Sequence, residues 1–344
     1  MEYRNLGRTG LKVSRLVFGG LHLGEGLSED EAADVIAAAR HSGVNTFFTA
    51  DVYGDGAAEE ALGKHIGPWR DDAVLIIKAG YRVGTPQAPL SREELNATHG
   101  DGVLDHAALW RKGITPTSRG LSRKHLTQAL EASLRRLGTD YIDVYAPHFW
   151  DYETPIEETL ETLEGFVRAG KVRYLGVSQT APWQLYRALW ASDKLGVSRY
   201  ECVQTRFNIL ERGALNEYLP AARVAGVSVL AHQSLAGDLL TGRFTRDSAK
   251  PTGLGSLQRY MDMYWTESTF AFLDRFQAVT QAAGRTMGEL AQAWVLDQEP
   301  VTALLVGPRS PETLAPQVAA ATRPLTDEER AAVNALLTGG GQSA

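Results

Sequence analysis

Eight short apolar runs rich in β-formers alternate with amphipathic helical stretches along this chain, and that alternation limits its fold more than any other feature. The runs fall at residues 16–19, 45–50, 73–79, 141–148, 172–178, 201–207, 227–231 and 302–306. Between them the apolar spacing predicts helices, for example over 29–40 (Ala33, Ile36, Ala37) and over 122–137 (Leu126, Leu130, Ala132, Leu134, Leu137). Strands that alternate with helices pair in parallel, and eight of them close on themselves better than they form an open sheet. The expected fold class is therefore α/β, a (β/α)8 TIM barrel, with residues 1–344 as one domain. Residues 3–14, turning at Gly7 to Gly10, read as an N-terminal β-hairpin that plugs the barrel bottom.

A barrel of this kind carries its chemistry at the C-terminal ends of its strands, so residues at those ends are the first candidates. Tyr53 follows the second run, Lys78 ends the third and His148 ends the fourth. Alone, each has a bland reading: a packing tyrosine, a solvated lysine, a hydrogen-bonded core histidine. Together they offer a phenol, an ammonium and an imidazole, groups of the kind a carbonyl reduction needs. A phenol gives a proton to oxygen if its pKa is brought down from about 10, a neighbouring ammonium favours the phenolate, and an imidazole orients the oxygen.

Two connections on the same side are too long for turns, 82–120 and 236–268. Their Trp110, Tyr260, Tyr264 and Trp265 either line a substrate cavity or pack the loops onto the barrel. The first loop also holds His99, Asp101, Asp105, His106, Arg111 and Lys112, which suits a polar, sugar-like ligand as well as a solvated surface.

The segment Phe48-Thr-Ala-Asp-Val-Tyr53 resembles the Asp-Thr-Ala-x-x-Tyr motif of the aldo-keto reductase family. Glu59-Glu-Ala-Leu-Gly63, Leu134 to Asp143 and Gly170 to Ser178 resemble further family motifs, and the likeness runs from Leu16 to the stretch that begins at Leu325. It is nearest to the branch holding bacterial general reductases, potassium-channel β subunits and antibiotic-sugar keto or enoyl reductases. The resemblance implies an Asp, Tyr, Lys, His tetrad, of which Tyr53, Lys78 and His148 match while Phe48 stands at the Asp position. In the family that Asp pairs with the Lys; without it, burial favours the neutral amine and activity is impaired or altered.

The resemblance also implies a nicotinamide cofactor. Ser178 and Gln204 would hold its carboxamide, with Phe207 beneath the ring; Gln179, also at the cofactor site, and Phe207 stand where the family more often has Asn and Tyr. The loop containing Leu235, Gly237, Leu239, Gly242 and Arg243 would fold over the pyrophosphate, and Gly20 is a further cofactor-binding residue. Gly307, Arg309, Thr313 and Gln317 would take the adenosine end, and Arg309 favours NADP(H), because a 2′-phosphate relieves a cation at a helix start. No Gly-x-Gly-x-x-Gly follows a strand, which argues against a Rossmann site. Leu21, Trp110, Phe149 and Trp150 are the expected substrate pocket, for a small-molecule aldehyde, ketone, keto-sugar or conjugated enone.

Bulk properties narrow the partners. A net charge of −6 argues against nucleic acid, and no run reaches membrane-span length. The lone Cys202 and the lack of metal-ligand spacing point to a reducing, cytoplasmic setting without a structural metal. The competing reading is a NADP-binding redox sensor or partner subunit with little turnover; oligomeric state stays open.

Overall fold

The computed structural model of the chain describes residues 1–84, 105–252 and 258–339. Its first strands, β1 (Tyr3–Asn5) and β2 (Lys12–Ser14), pair antiparallel. Then come β3 (Leu16–Gly19), α1 (Glu29–His41), β4 (Thr46–Ala50), α2 (Ala57–Ile66), β5 (Val74–Ala79), α3 (His106–Arg111) and α4 (Arg123–Leu137). The chain continues through β6 (Ile142–Pro147), α5 (Ile156–Arg168), β7 (Val172–Ser178), α6 (Pro182–Leu195), β8 (Tyr200–Arg206), α7 (Tyr218–Ala225) and β9 (Ser228–His232). It ends with α8 (Gln258–Tyr264), α9 (Glu267–Ala282), α10 (Met287–Asp297), β10 (Val301–Val306), α11 (Pro311–Thr322) and α12 (Asp327–Gly339).

Strands β3 to β10 form a closed, all-parallel barrel in which β10 pairs with β3. The expected (β/α)8 barrel with an N-terminal hairpin is the observed fold, and β3 and β7 coincide with the runs read from sequence. Helix boundaries follow local chemistry. Ser28 and Glu31 form a capping box at the start of α1, Ser122 accepts the amide of His125 at the start of α4, and left-handed Gly138 stops α4.

Alternation along each strand divides the interior in two. Phe48, Ile76, Val144, Cys202 and Leu230 point into the barrel, while Phe47, Leu75, Ile77, Tyr145 and Val203 point outward beneath the helices. Leu6 and Val13 of the hairpin join the inner set, so the hairpin does plug the bottom. Arg15, 4% exposed, closes the seam there by donating to the carbonyls of Val301 at 2.7 Å and Thr302 at 2.8 Å. Each buried aliphatic or Phe side chain contributes roughly 1.5–3 kcal/mol. With the bottom sealed, the upper rim is the open end of the barrel.

Candidate active site

Strand register brings the three candidate residues together. Ala50 pairs with Lys78, Lys78 with Ala146 and Ala79 with Pro147, so the ends of β4, β5 and β6 lie level. His148 is the next residue, its amide donating to the Ala79 carbonyl at 2.9 Å. Tyr53 opens a single 3-10 turn after β4, and Gly54 beside it has φ 57°. A Cβ at Gly54 would lie 2.9 Å from the Gly24 carbonyl oxygen, so a larger residue would displace the turn that aims Tyr53.

Lys78 is 1% exposed, and its Nζ donates to Tyr53 Oη at 2.9 Å. Its other neighbour is the Phe48 ring, whose centroid is 4.8 Å from Nζ. Among the described residues no carboxylate forms an ion pair with Lys78; an aromatic face stands in its place. Burial pulls the Lys78 pKa down to about 7, and the Asp51 charge opposes that only in part. Burial raises Tyr53 above the ordinary phenol value, and Tyr81, Tyr260 and Asp51 add in the same direction. Tyr53 therefore rests as a protonated phenol, the form a proton donor requires.

His148, 4% exposed, meets the Tyr53 ring edge-on at 5.9 Å and leans on Tyr81 at 4.6 Å. Tyr81 in turn stacks on Phe149 at 4.6 Å. Asp51, one residue past β4, faces the helix layer. It is buried near Glu59, Arg136 and Tyr145, and its carboxylate oxygens have no side-chain partner, only the nearby amides of Val52 and Gly80. Burial first, and Glu59 second, raise its pKa well above the ordinary carboxyl value.

The expected cofactor residues also lie along the rim. Ser178 and Gln204 are register partners on β7 and β8, and the Ser178 hydroxyl donates to Gln204 Oε1 at 3.0 Å. Gln179 is left-handed at φ 51°, its amide bonded to the Gln204 carbonyl. Phe207 is fully buried with its ring 5.5 Å from Trp294, so its face is covered. Gly20 sits against β4, where a Cβ would meet Leu23, the Phe48 carbonyl oxygen and Thr49. In the loop after β9, Leu239 is buried, Leu235 half-buried, and Gly237 and Gly242 both have positive φ. Exposed Arg243 lies over the Phe244 ring.

Gly307 and Arg309 are exposed beside His22, whose pKa falls to about 4 through burial first and Arg309 second. Thr313 Oγ1 accepts the amides of Arg309 and Ser310, both at 3.0 Å, so it organises the loop itself. Gln317 is buried with no hydrogen-bond partner for Oε1.

The substrate-pocket residues divide. Leu21 is half-buried next to Gly20, Phe149 lies behind Tyr81, and Trp150 packs on Trp183 at 5.8 Å. Trp110 is 60% exposed on α3. Tyr264 and Trp265 pack their loop down: Asn208 donates to Tyr264 Oη at 3.1 Å, and Trp265 meets Phe244 and Phe270 edge-on. Tyr260 is buried under Arg206. His99 and Asp101 lie outside the described residues. Tyr81 and His22 were not singled out from sequence, although each lies within three residues of one that was.

All five non-glycine residues with positive φ among the described residues, Asp55, Gln179, Gln233, Ala236 and Asp238, follow the C-terminal ends of barrel strands. Such backbone costs of order 1–3 kcal/mol per residue and collects at functional sites. Among the described residues the opposite end of the barrel has none.

The chain that forms this barrel matches the model of the Aldo/keto reductase family over residues 15–338. The chain belongs to that family. It is 33% identical to the uncharacterized oxidoreductase YrpG of Bacillus subtilis (strain 168), over 99% of this chain and 97% of that protein. It is 30% identical to a probable voltage-gated potassium channel subunit beta of Arabidopsis thaliana, over 89% of this chain and 87% of that one. The solved glycerol dehydrogenase of Gluconobacter oxydans aligns with TM-score 0.80 and 28% identity, covering 98% of this aldo-keto reductase and 95% of the dehydrogenase. The family and these relatives make the chain a carbonyl-reducing oxidoreductase, and the family's reductant is NAD(P)H. Among the described residues, no helix of this reductase is long and apolar enough to cross a membrane.

Proposed function

We propose that this aldo-keto reductase reduces a small aldehyde, ketone or keto-sugar, conjugated enones included, with NADP(H) and with Tyr53 as proton donor. One observation carries the reading: the 2.9 Å hydrogen bond from Lys78 to Tyr53 at the level rim that also holds His148. The cofactor, when bound, supplies the hydride to the carbonyl carbon. Tyr53 gives its proton to the carbonyl oxygen as negative charge develops there, and the Lys78 ammonium stabilises the phenolate left behind. His148, wedged between Tyr53 and Tyr81, orients that oxygen.

The residues fit a dinucleotide. Ser178 and Gln204 offer a hydroxyl and an amide to a carboxamide, and Gln317 has a buried acceptor in need of a donor. Exposed Arg309 favours the 2′-phosphate of NADP(H). Titration of both cofactors followed by tryptophan fluorescence tests this. Arg309→Ala should weaken NADPH by about 1.5–3 kcal/mol and leave NADH nearly unchanged. Equal affinities in the parent would refute the assignment of Arg309.

A second reading has one observation in its favour. Lys78 leans on Phe48 where a working pair would offer a carboxylate, which suits a NADP-binding sensor or partner subunit with little turnover. Binding of NADPH without hydride transfer to any of a broad carbonyl panel would select it. Cytoplasmic location accords with the single, buried Cys202.

A further inference from the structure

We propose that Tyr81 is the positioning residue for His148, and that Gly120, Leu121 and Asp151 form the brace that keeps Tyr81 in place. The inference rests on the roles proposed above for Tyr53 and His148. It gives the end of the long connection after β5 a task at the site.

An imidazole that orients a carbonyl oxygen must hold one ring angle. The last side-chain torsion of histidine is broad, so its own rotamer does not set that angle and its neighbours must. Two rings border His148. Tyr53 meets it at 82° with centroids 5.9 Å apart, and Tyr81 lies closer, at 4.6 Å and 58°. Tyr81 is in turn backed by Phe149, 3% exposed, whose ring stacks on it at 4.6 Å and 28°. The row Phe149, Tyr81, His148, Tyr53 therefore runs from the protein interior to the proposed proton donor, and Tyr81 is the member that presses on the imidazole.

The backbone beneath Tyr81 is held as closely as its ring. The Gly80 carbonyl accepts the amide of Gly120 at 2.8 Å, and the imidazole of His125, buried on α4, donates to the Tyr81 carbonyl. Gly80 has φ 136°, and a Cβ there would lie 3.0 Å from Leu121 Cδ2 and 3.1 Å from Phe149 Cε1, so glycine lets both side chains close on the turn. Asp151 ties the same segment to the end of β6. Its Oδ2 accepts the Leu121 amide at 2.8 Å and the Thr154 hydroxyl at 2.7 Å, and its Oδ1 accepts the Glu153 amide at 2.9 Å. Residues after β5, before α4 and after β6 thus form one knot, and the Tyr81 ring is the face it turns to His148.

Steady-state reduction of a simple aldehyde by the whole chain, with NADPH affinity followed by tryptophan fluorescence, tests the proposal. Tyr81→Leu should lower kcat by about 10- to 100-fold, the cost of a catalytic group displaced by a fraction of its own size, and leave NADPH affinity unchanged. Tyr81→Phe keeps the ring and should retain most of the turnover. In a His148→Ala background Tyr81→Leu should cost less than about twofold, because the residue it serves is gone. Asp151→Ala loosens the brace from outside the site and should lower kcat by a smaller factor, which keeps the test open if Tyr81→Leu does not fold; circular dichroism and melting verify the fold of each variant. The imidazole NMR signals of His148, identified by their absence in His148→Ala, need no turnover. They should shift in Tyr81→Leu and in Asp151→Ala and stay in place in Tyr81→Phe. A parent that binds NADPH but reduces no carbonyl would fault the role given to Tyr53, and these signals would still decide what positions His148. Full turnover in folded Tyr81→Leu, an equal loss with and without His148, or unshifted His148 signals would overturn the proposal.

Discussion

The two faces of β4 carry opposite charge problems within a few residues of each other. On the inner face a cation, Lys78, is buried against Phe48 with a phenol for company and no ion-paired carboxylate among the described residues. On the outer face two carboxyls, Asp51 and Glu59, are buried around a single guanidinium, Arg136, whose Nε donates to Glu59 at 2.6 Å. Burial pushes the inner group towards neutrality from above and the outer acids towards neutrality from below. A barrel strand thus separates a cation lacking an anion from an anion lacking a cation, and their attraction across it only partly restores Lys78. The inner imbalance is where chemistry is proposed; the outer one holds structure.

Two tyrosines, one on each face, differ most. Tyr53→Phe should lower turnover by about 10² to 10⁴, the usual worth of an acid–base group, while leaving NADPH affinity nearly unchanged. Tyr145, fully buried on the outer side, has no partner for its hydroxyl. Tyr145→Phe should therefore keep turnover and should not lose stability, because the removed group was already unpaired. Steady-state kinetics on both variants would refute this division of the two faces if Tyr53→Phe stayed fully active or Tyr145→Phe did not.

Next in size is Arg136→Met. Glu59 is completely buried, and removal of its cation should cost about 3–5 kcal/mol, read as a shift in the urea midpoint. The raised pKa of Glu59 lets part of that be escaped by protonation, so the loss should shrink as pH falls towards the acid range. A loss that is the same at every pH would mean that Glu59 stays protonated throughout and that the outer face holds no charge imbalance.

Which parts of this were legible in the sequence follows from which are local. The strands are legible as apolar runs, and Tyr53, Lys78 and His148 are legible from a family motif together with their places at strand ends. The direction of Asp51 was not legible, although it lies two residues from Tyr53, because it depends on strand parity and on where β4 stops. Long loops hid most. Trp110, Tyr264 and Trp265 looked alike as candidates, yet one is exposed and two pack their loop, a difference set by partners such as Asn208 and Phe270 that are distant in sequence. Tyr81 escaped notice because its role comes from a ring contact with His148 across two strands.

The smallest effect bears most directly on the inner face. Lys78 titrates at about 7 in the folded chain, against about 10.5 for a free lysine. Between these values the unfolded chain binds the extra proton, so this site makes stability rise with pH across that window. Activity should move the other way, since the ammonium that stabilises the Tyr53 phenolate is lost as pH rises through about 7. Opposite slopes in the two measurements distinguish titration of Lys78 from general unfolding. Phe48→Asp gives Lys78 a carboxylate beside it, which should move the fall in activity to higher pH. Reduction of a simple aldehyde at pH ~8 should then rise by about tenfold, one modest acid–base contribution. The new carboxyl would also sit among Val17, Val74, Ile76 and Val144, where only its pairing with Lys78 keeps it ionised. If the pH profile and the rate are both unchanged, the introduced carboxyl has taken up a proton instead of pairing, and the aromatic face of Phe48 was not what set the charge of Lys78.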